Sequence, residues 1–397
     1  MKTRVLIIGA GPAGSMAAWR LASRGFHDFL LVDRCGFPRT KPCAGGIAPA
    51  SIDLLERLGL IHIMEHCEPK ATMRHMRLIG PGGEELFMTS NLKAVAINRR
   101  IFDAALLDEA RKLGAVFVPG FTLRDLIRDD DGRIIGARDG DRIIECEVVI
   151  MANGGRSREF REKHFADTRP LSPLLSRIGW WKGFDLPDET MEMVFDRSLL
   201  PHYGWVFPEG DGMVNIGICV RQERLMGRNV TEVFEEFCER YYAKRLRNAT
   251  QVGRSLSFVI NTCSLVRHVY ADGVLYAGEA GRLCNPATAE GISYAMESGI
   301  LAADAVIAAY ARGRSVPDAA SLASYETACR KAFSGRLMKA SLFSRLVSSP
   351  LFGLLIRLGA SPLSQLIMKK FFSDQKAIRR SAQGESRPQA SSQAESQ

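Results

Sequence analysis

No Cys-x-x-Cys pair and no cysteine–histidine cluster occurs in this sequence of 397 residues, although it holds nine cysteines (Cys35, Cys43, Cys67, Cys146, Cys219, Cys238, Cys263, Cys284 and Cys329). An odd, unpatterned set argues against a structural zinc site or a disulfide framework, and for reduced thiols in a cytosolic protein. No metal ligands are expected. Long hydrophobic runs are missing too. The apolar stretches at 351–356 and 366–368 fall well short of the ~20 residues that span a bilayer. A core strand opens within the first residues, so no cleavable targeting segment is read there. Acidic residues are scarce between 330 and 380, where eleven Lys and Arg face Asp374 alone and the local charge of +10 exceeds the +9 of the whole chain. A charge so confined points to an anionic partner for one region and excludes a nucleic-acid-binding protein as a whole. The apolar fraction of 46% is that of an ordinary globular protein.

What the chain does have is concentrated at residues 4–34. An apolar run, Val5 to Ile8, reads as a buried parallel strand. Gly9, Gly11 and Gly14 follow in G-x-G-x-x-G spacing, then a helix is expected over 15–23, and a second apolar strand over 29–32 ends at Asp33. Gly9 permits the tight turn, Gly11 lets backbone approach a pyrophosphate, and Gly14 lets helix and strand pack closely. The helix N-terminus offers free N–H groups and a positive dipole end to phosphates. Asp33 is spaced to accept hydrogen bonds from an adenosine ribose; Arg34 beside it keeps a 2′-phosphate formally open. The strand–turn–helix–strand–carboxylate context reads as a tightly held dinucleotide.

Further along, residues 34–49 form a Gly/Pro-rich loop in which Cys43, Ala44 and Gly46 bring backbone close to a ligand. A helix is read over 50–66 and a hairpin layer over 71–97. Arg99 stands at the start of a helix that ends at Gly114, either as a solvated cation or as a group bonding phosphate or ribityl oxygens. Residues 123–153 alternate as a three-stranded meander whose last strand is apolar enough to enter a parallel sheet. From 170 to 268 the chain turns aromatic and strand-rich, with one helix at 231–247. The strand at 274–277 is followed by Gly278-Glu279 and a loop, and then a long Ala-rich helix opens near Gly291-Ile292. This second unit suits a contact to the far end of an extended cofactor. Residues 315–376 read as helices broken at Pro350 and Pro362. They either cap the core or lie as a basic amphipathic surface on a membrane. Residues 381–397 are polar and of low complexity, expected to be disordered.

Five stretches together resemble the FAD-dependent geranylgeranyl reductase family, within the wider p-hydroxybenzoate hydroxylase-like class. These are GAGPAGS with Asp33, the KPCAGGI loop, RRxFD at 99–103, YGWVFP at 203–208, and GEAG…NPATAEGI at 278–292. The resemblance implies an α/β fold: a Rossmann-type FAD-binding domain (1–70, 99–165 and 269–315), an inserted β-rich substrate domain (71–98 and 166–268), C-terminal helices (316–378) and a tail (379–397). It implies FAD contacts at Gly9, Gly11, Ala13, Gly14, Asp33, Arg34, Cys43, Ala44, Gly46, Arg99, Leu123, Gly278, Glu279, Gly291 and Ile292. Tyr203, Trp205 and Phe207 are expected on the wall of a substrate tunnel, and Cys43 is expected to face the flavin as a catalytic residue. The implied reaction is reduction of isolated C=C bonds in an isoprenoid chain of a lipid, quinone or pigment precursor. The electron donor would be ferredoxin, quinol or a nicotinamide. The enzyme would be cytoplasmic, meeting the inner face of the membrane through its C-terminal helices. Two departures are visible. Glu279 stands where the second motif usually has Asp, and Ala152-Asn153-Gly154-Gly155 lacks the aspartate of the hydroxylases' GADG turn. The runner-up is an FAD monooxygenase or halogenase acting on an aromatic or polyketide compound. A non-catalytic membrane-surface flavoprotein ranks third.

Overall fold

The computed structural model describes residues 1–68, 70–165, 173–312 and 316–358. The expected tail, and the C-terminal helices beyond 358, lie outside them. Two sheets dominate. In the first, the parallel strands Lys2–Ile8, Phe29–Asp33, Phe117–Pro119, Arg142–Met151 and Val274–Tyr276 are ordered with Lys2–Ile8 near the centre, between Phe29–Asp33 and Arg142–Met151. The central strands are apolar along their buried length, as strands covered on both faces must be. Val5, Leu6, Ile7, Val148, Val149 and Ile150 are all fully enclosed. Asp125–Arg128 and Ile134–Asp139 complete the meander and deliver Arg142–Met151 beside the first strand.

Helix Pro12–Ser23 packs on this sheet together with Ile292–Ala311. The first helix starts at Pro12, three residues before the expected start, because proline's fixed φ suits the first helical position. The stretch read as a helix over 50–66 is two helices, Pro49–Arg57 and His62–Glu65, parted by a turn at Gly59.

The second sheet runs Thr250–Gln251, Leu174–Lys182, Met213–Arg221, Gly204–Gly210, Thr190–Val194, Lys70–Ile79, Glu85–Ile97 and Gly46–Ile47, and is largely antiparallel. Its alternation sorts side chains by face. One face (Leu174, Ile178, Trp205, Cys219, Met193, Leu78) shares a core with helices Ser324–Val347 and Leu351–Arg357. The other (Val194, Val206, Ile216, Ile218) is covered by helix Val230–Leu246. Among the described residues, Ile292–Ala311 is the one helix long and apolar enough to cross a membrane, and 67% of its apolar window is buried inside the protein. It is a core helix.

Candidate functional site

The first-sheet turn is built as its spacing requires. Gly9 has φ +104°, and a Cβ there would lie 2.5 Å from the Ala152 carbonyl oxygen. A Cβ on Gly14 would lie 1.7 Å from the Gly9 oxygen. Asp33 is 8% exposed and each of its oxygens is engaged: Oδ2 accepts from Ala10 N at 2.8 Å and Oδ1 from Cys35 N at 2.9 Å. The carboxylate holds the glycine turn against the end of its own strand, and its remaining lone pairs are available to a ribose. Arg34 is exposed. Leu123 is half-buried against the core beneath the meander.

Over Gly11 lies a charge network of which the sequence motif at 99–103 shows Arg99 and Asp103 but not Arg39. Asn98 caps helix Arg99–Lys112 by accepting from Arg100 N at 2.9 Å. Arg99, the first helical residue, donates to both oxygens of Asp103, from Nε at 2.8 Å and from a terminal nitrogen at 3.0 Å. Arg39 reaches Asp103 from the other side at 3.3 Å, and its guanidinium is the nearest group a Cβ on Gly11 would meet. Burial lowers the Arg99 pKa, but Asp103 and then the Cys43 sulfur outweigh it and the net shift is upward. Two guanidiniums on one fully buried carboxylate leave a net positive charge beside the glycine turn, as a pyrophosphate needs.

The second motif is folded against the first. Gly278 N donates to Ser298 Oγ at 2.7 Å, and a Cβ on Gly278 would touch the Ala13 methyl. Gly299 brings helix Ile292–Ala311 so close to Pro12–Ser23 that a Cβ would lie 2.1 Å from the Ala13 oxygen. Glu279 Oε1 accepts from Asn261 N at 3.0 Å and lies against Gly155. Burial raises the Glu279 pKa; Lys41 and the backbone donors oppose this. Asn261, which the sequence did not flag, donates to the Gly155 carbonyl at 3.2 Å, while its buried Oδ1 has no hydrogen bond among the described residues. Gly291 caps the helix opened by Ile292.

The loop of Cys43, Ala44 and Gly46 joins the two sheets. Gly45 N donates to Cys43 Sγ at 3.4 Å, and residues 46–47 pair with Ala96 and Val95. Gly46 lies against the Phe207 ring. The Ala44 carbonyl accepts from Asn215 Nδ2 at 3.0 Å. Tyr203 donates through its hydroxyl to the Thr288 carbonyl at 2.6 Å, which ties the aromatic strand to the second motif's loop. Phe343, Phe352, Phe195, Tyr203, Trp205 and Phe207 form a row with ring centroids 4.9–6.2 Å apart. It runs from the C-terminal helices to the Gly46 loop. A groove of about 730 Å³ lies away from all this, under helix Val230–Leu246 on the opposite face of the second sheet, lined by Trp181, Phe234 and Arg177 among others.

These residues fit FAD. The glycine cradle would be filled by any Cβ, the cationic network stands over Gly11, and Asn261 keeps an unpaired acceptor beside the second motif.

Comparison with known proteins agrees. The family described as FAD binding domain matches residues 2–340. The digeranylgeranylglycerophospholipid reductase of Methanothrix thermoacetophila is 30% identical over 329 residues, covering 79% of this chain and 80% of that protein. The menaquinone reductase of Mycobacterium tuberculosis is 30% identical over 321 residues, 76% of this chain and 75% of that protein. Among solved structures, a geranylgeranyl bacteriochlorophyll reductase-like protein from Thermoplasma acidophilum superposes with a TM-score of 0.80 at 20% identity, over 93% of this chain and 96% of that one. The flavin-dependent brominase Bmp2 shares the fold at a TM-score of 0.72 and 21% identity, over 94% of each chain. By the family match and the identity to two reductases over three quarters of their length, this chain belongs to the FAD-binding domain family and, within it, to the geranylgeranyl reductases.

Proposed function

We propose that this protein is an FAD-dependent oxidoreductase that reduces C=C bonds of an isoprenoid chain in a lipid, quinone or pigment precursor. The observation that carries the reading is the 30% identity to two reductases over three quarters of their length, together with the apolar rings of Tyr203, Trp205 and Phe207 beside the loop of Cys43, Ala44 and Gly46. A long unsaturated chain suits an apolar wall of this kind. When bound and reduced, FAD supplies the hydride that such a reduction needs.

The chain's own residues then have separable tasks. Gly9, Gly11, Ala13 and Gly14 present the start of helix Pro12–Ser23 to the pyrophosphate, with Arg39 and Arg99 beside them. Asp33 bonds the adenosine ribose, with Arg34 and Leu123 flanking it. Gly278, Glu279 and the helix start at Gly291-Ile292 take the far half of the cofactor. Cys43, Ala44 and Gly46 border the reacting ring, and Tyr203, Trp205 and Phe207 hold the alkene and keep water out.

A membrane supplies such substrates. On helices Ser324–Val347 and Leu351–Arg357 the inner face is core (Phe333, Leu337, Phe343, Val347, Phe352), whereas Met338, Leu342, Leu351, Leu354 and Leu358 are more than half exposed. Lys331, Lys339, Arg345 and Arg357 are exposed beside them. Both expectations for this segment therefore have support, one on each face. The reading makes the enzyme cytoplasmic and peripheral, with apolar side chains in the acyl boundary and cations at the headgroups.

The test is anaerobic photoreduction of the holoprotein followed by a geranylgeranyl lipid. Reoxidation of the flavin without oxygen, with a product two mass units heavier per bond, is the expected result. Flavin that stays reduced until oxygen is admitted, with an oxygenated or halogenated product, replaces this reading with that of the monooxygenases and halogenases.

A further inference from the structure

The sheet face that carries Tyr203, Trp205 and Phe207 is apolar over most of its area; buried Ser176 donates to the Ile218 carbonyl at 2.8 Å. Polarity gathers at one corner. Asn215 stands opposite Phe207 in register and Trp180 opposite Asn215, so all three side chains emerge on one side. The pairing shifts between Pro208 and Gly210, and Glu209 sits in that irregularity at the end of the aromatic row.

Glu209 Oε1 accepts from Trp180 Nε1 at 3.0 Å and from Asn215 Nδ2 at 2.7 Å. Asn215, fully buried, accepts from Trp205 Nε1 at 2.7 Å and also donates to the Ala44 carbonyl. One amide thus connects a wall ring, an acid and the loop beside the cofactor. The same packing would be satisfied by glutamine, whose amide oxygen accepts both bonds that Oε1 takes. What glutamate adds is Oε2, which makes no hydrogen bond among the described residues and is free to bear a proton.

Glu209 is half-buried, and its surroundings shift it toward the protonated form. Both partners of the carboxyl are neutral, and burial is the largest influence on it, pushing its pKa up against their opposing effect. Of the titratable groups on the elements packed around it, Lys41 is turned to the Phe258 ring at 5.4 Å and Cys43 Sγ takes the Gly45 N–H. Burial raises the Cys219 thiol to about 12, so it stays neutral, and Asp211 and Lys182 are exposed at the strand ends.

We propose that Glu209 is the acid of the reduction, a carboxyl at the foot of the aromatic row that gives its proton to the alkene carbon opposite the one that takes hydride. The proposal rests on the alkene-reductase reading above. In the balanced step the π pair becomes a C–H bond to the Glu209 proton and the hydride pair forms the other C–H bond. Two electrons leave the reduced cofactor with the hydride. Glu209 is left as a carboxylate and regains its proton from water.

Glu209→Gln keeps both hydrogen bonds to Oε1, so it is expected to retain flavin content and melting temperature while losing the acid. In the anaerobic assay its reoxidation by a geranylgeranyl lipid is expected to slow by about 10²-fold or more. The wild-type rate should fall as pH rises through the carboxyl's elevated pKa, and the Gln variant should be flat across that range. Infrared spectra of substrate-free protein across a pH titration should hold a protonated-carboxyl carbonyl band that persists above the pH at which an ordinary glutamate ionises and that Glu209→Gln removes. An unchanged rate and pH profile in the variant, with the wild type active, or an infrared spectrum without that band, overturns the acid role alone. Failure of the wild-type flavin to reoxidise with the lipid overturns the alkene reading, and the acid role with it.

Discussion

Single residues show how much of this site depends on where a polar group is buried. Asp33 and Asp103 are both enclosed carboxylates, yet one is held by two backbone amides and the other by two arginines. His202 is the opposite case. It is 1% exposed, and burial, then the Arg221 charge, lowers its pKa to about 3. The unfolded imidazole takes a proton near pH ~6.5. The folded one resists until about 3, so stability is full above the unfolded value and falls as pH drops through that window, by ~1.4 kcal/mol per pH unit at most. Denaturant titrations at pH 7 and 5 should show this loss, and His202→Gln should flatten it. Residue-level legibility was uneven for a physical reason. Gly9, Gly14 and Asp33 act within one 30-residue unit, so their spacing alone revealed the turn. Arg39, Asn215 and Asn261 matter because they meet partners far along the chain, and such meetings leave no local pattern in the sequence.

Elements were easier to read than their junctions. The meander, the hairpin at 70–97, the helix Val230–Leu246 and the returning strand Val274–Tyr276 follow from periodicity, because each buries one face or both. The split of the helix read over 50–66 was hidden, since the apolar spacing continues through the turn at Gly59. The crossing of helices Pro12–Ser23 and Ile292–Ala311 at Gly299 was equally invisible, as a glycine inside an Ala-rich helix has no distinctive context. It is where the second helix comes within 2.1 Å of Ala13 for any added Cβ, closing the wall behind the glycine turn. Gly299→Ala places a methyl 2.1 Å from the Ala13 oxygen and must push the helices apart. The variant is expected to lose bound flavin and ~1–3 kcal/mol of stability, read as the 450-nm to 280-nm absorbance ratio and the urea midpoint.

At the scale of the molecule, the two sheets divide the labour, and the C-terminal helices close one and decorate the surface with exposed leucines. Replacing Leu342 and Leu354, both about half exposed, by Glu should leave flavin content and melting temperature unchanged. Co-sedimentation with vesicles containing anionic lipid should fall by tenfold or more, since two apolar contacts of ~1–2 kcal/mol each are lost and two negative charges gained. Equal sedimentation of variant and wild type would remove these helices from the membrane interface.

The closure at Gly299 also bears on how the protein is made. About 290 residues separate Gly9 from the position that completes its cradle, which is on the order of tens of seconds of ribosomal synthesis. During that interval the nascent chain has a glycine turn but no second wall, and the whole of the second sheet emerges before the cofactor can be gripped. The cofactor site is therefore completed only late in synthesis, and a culture short of riboflavin should accumulate full-length chains in which the two helices meet at Gly299 without flavin bound between the motifs.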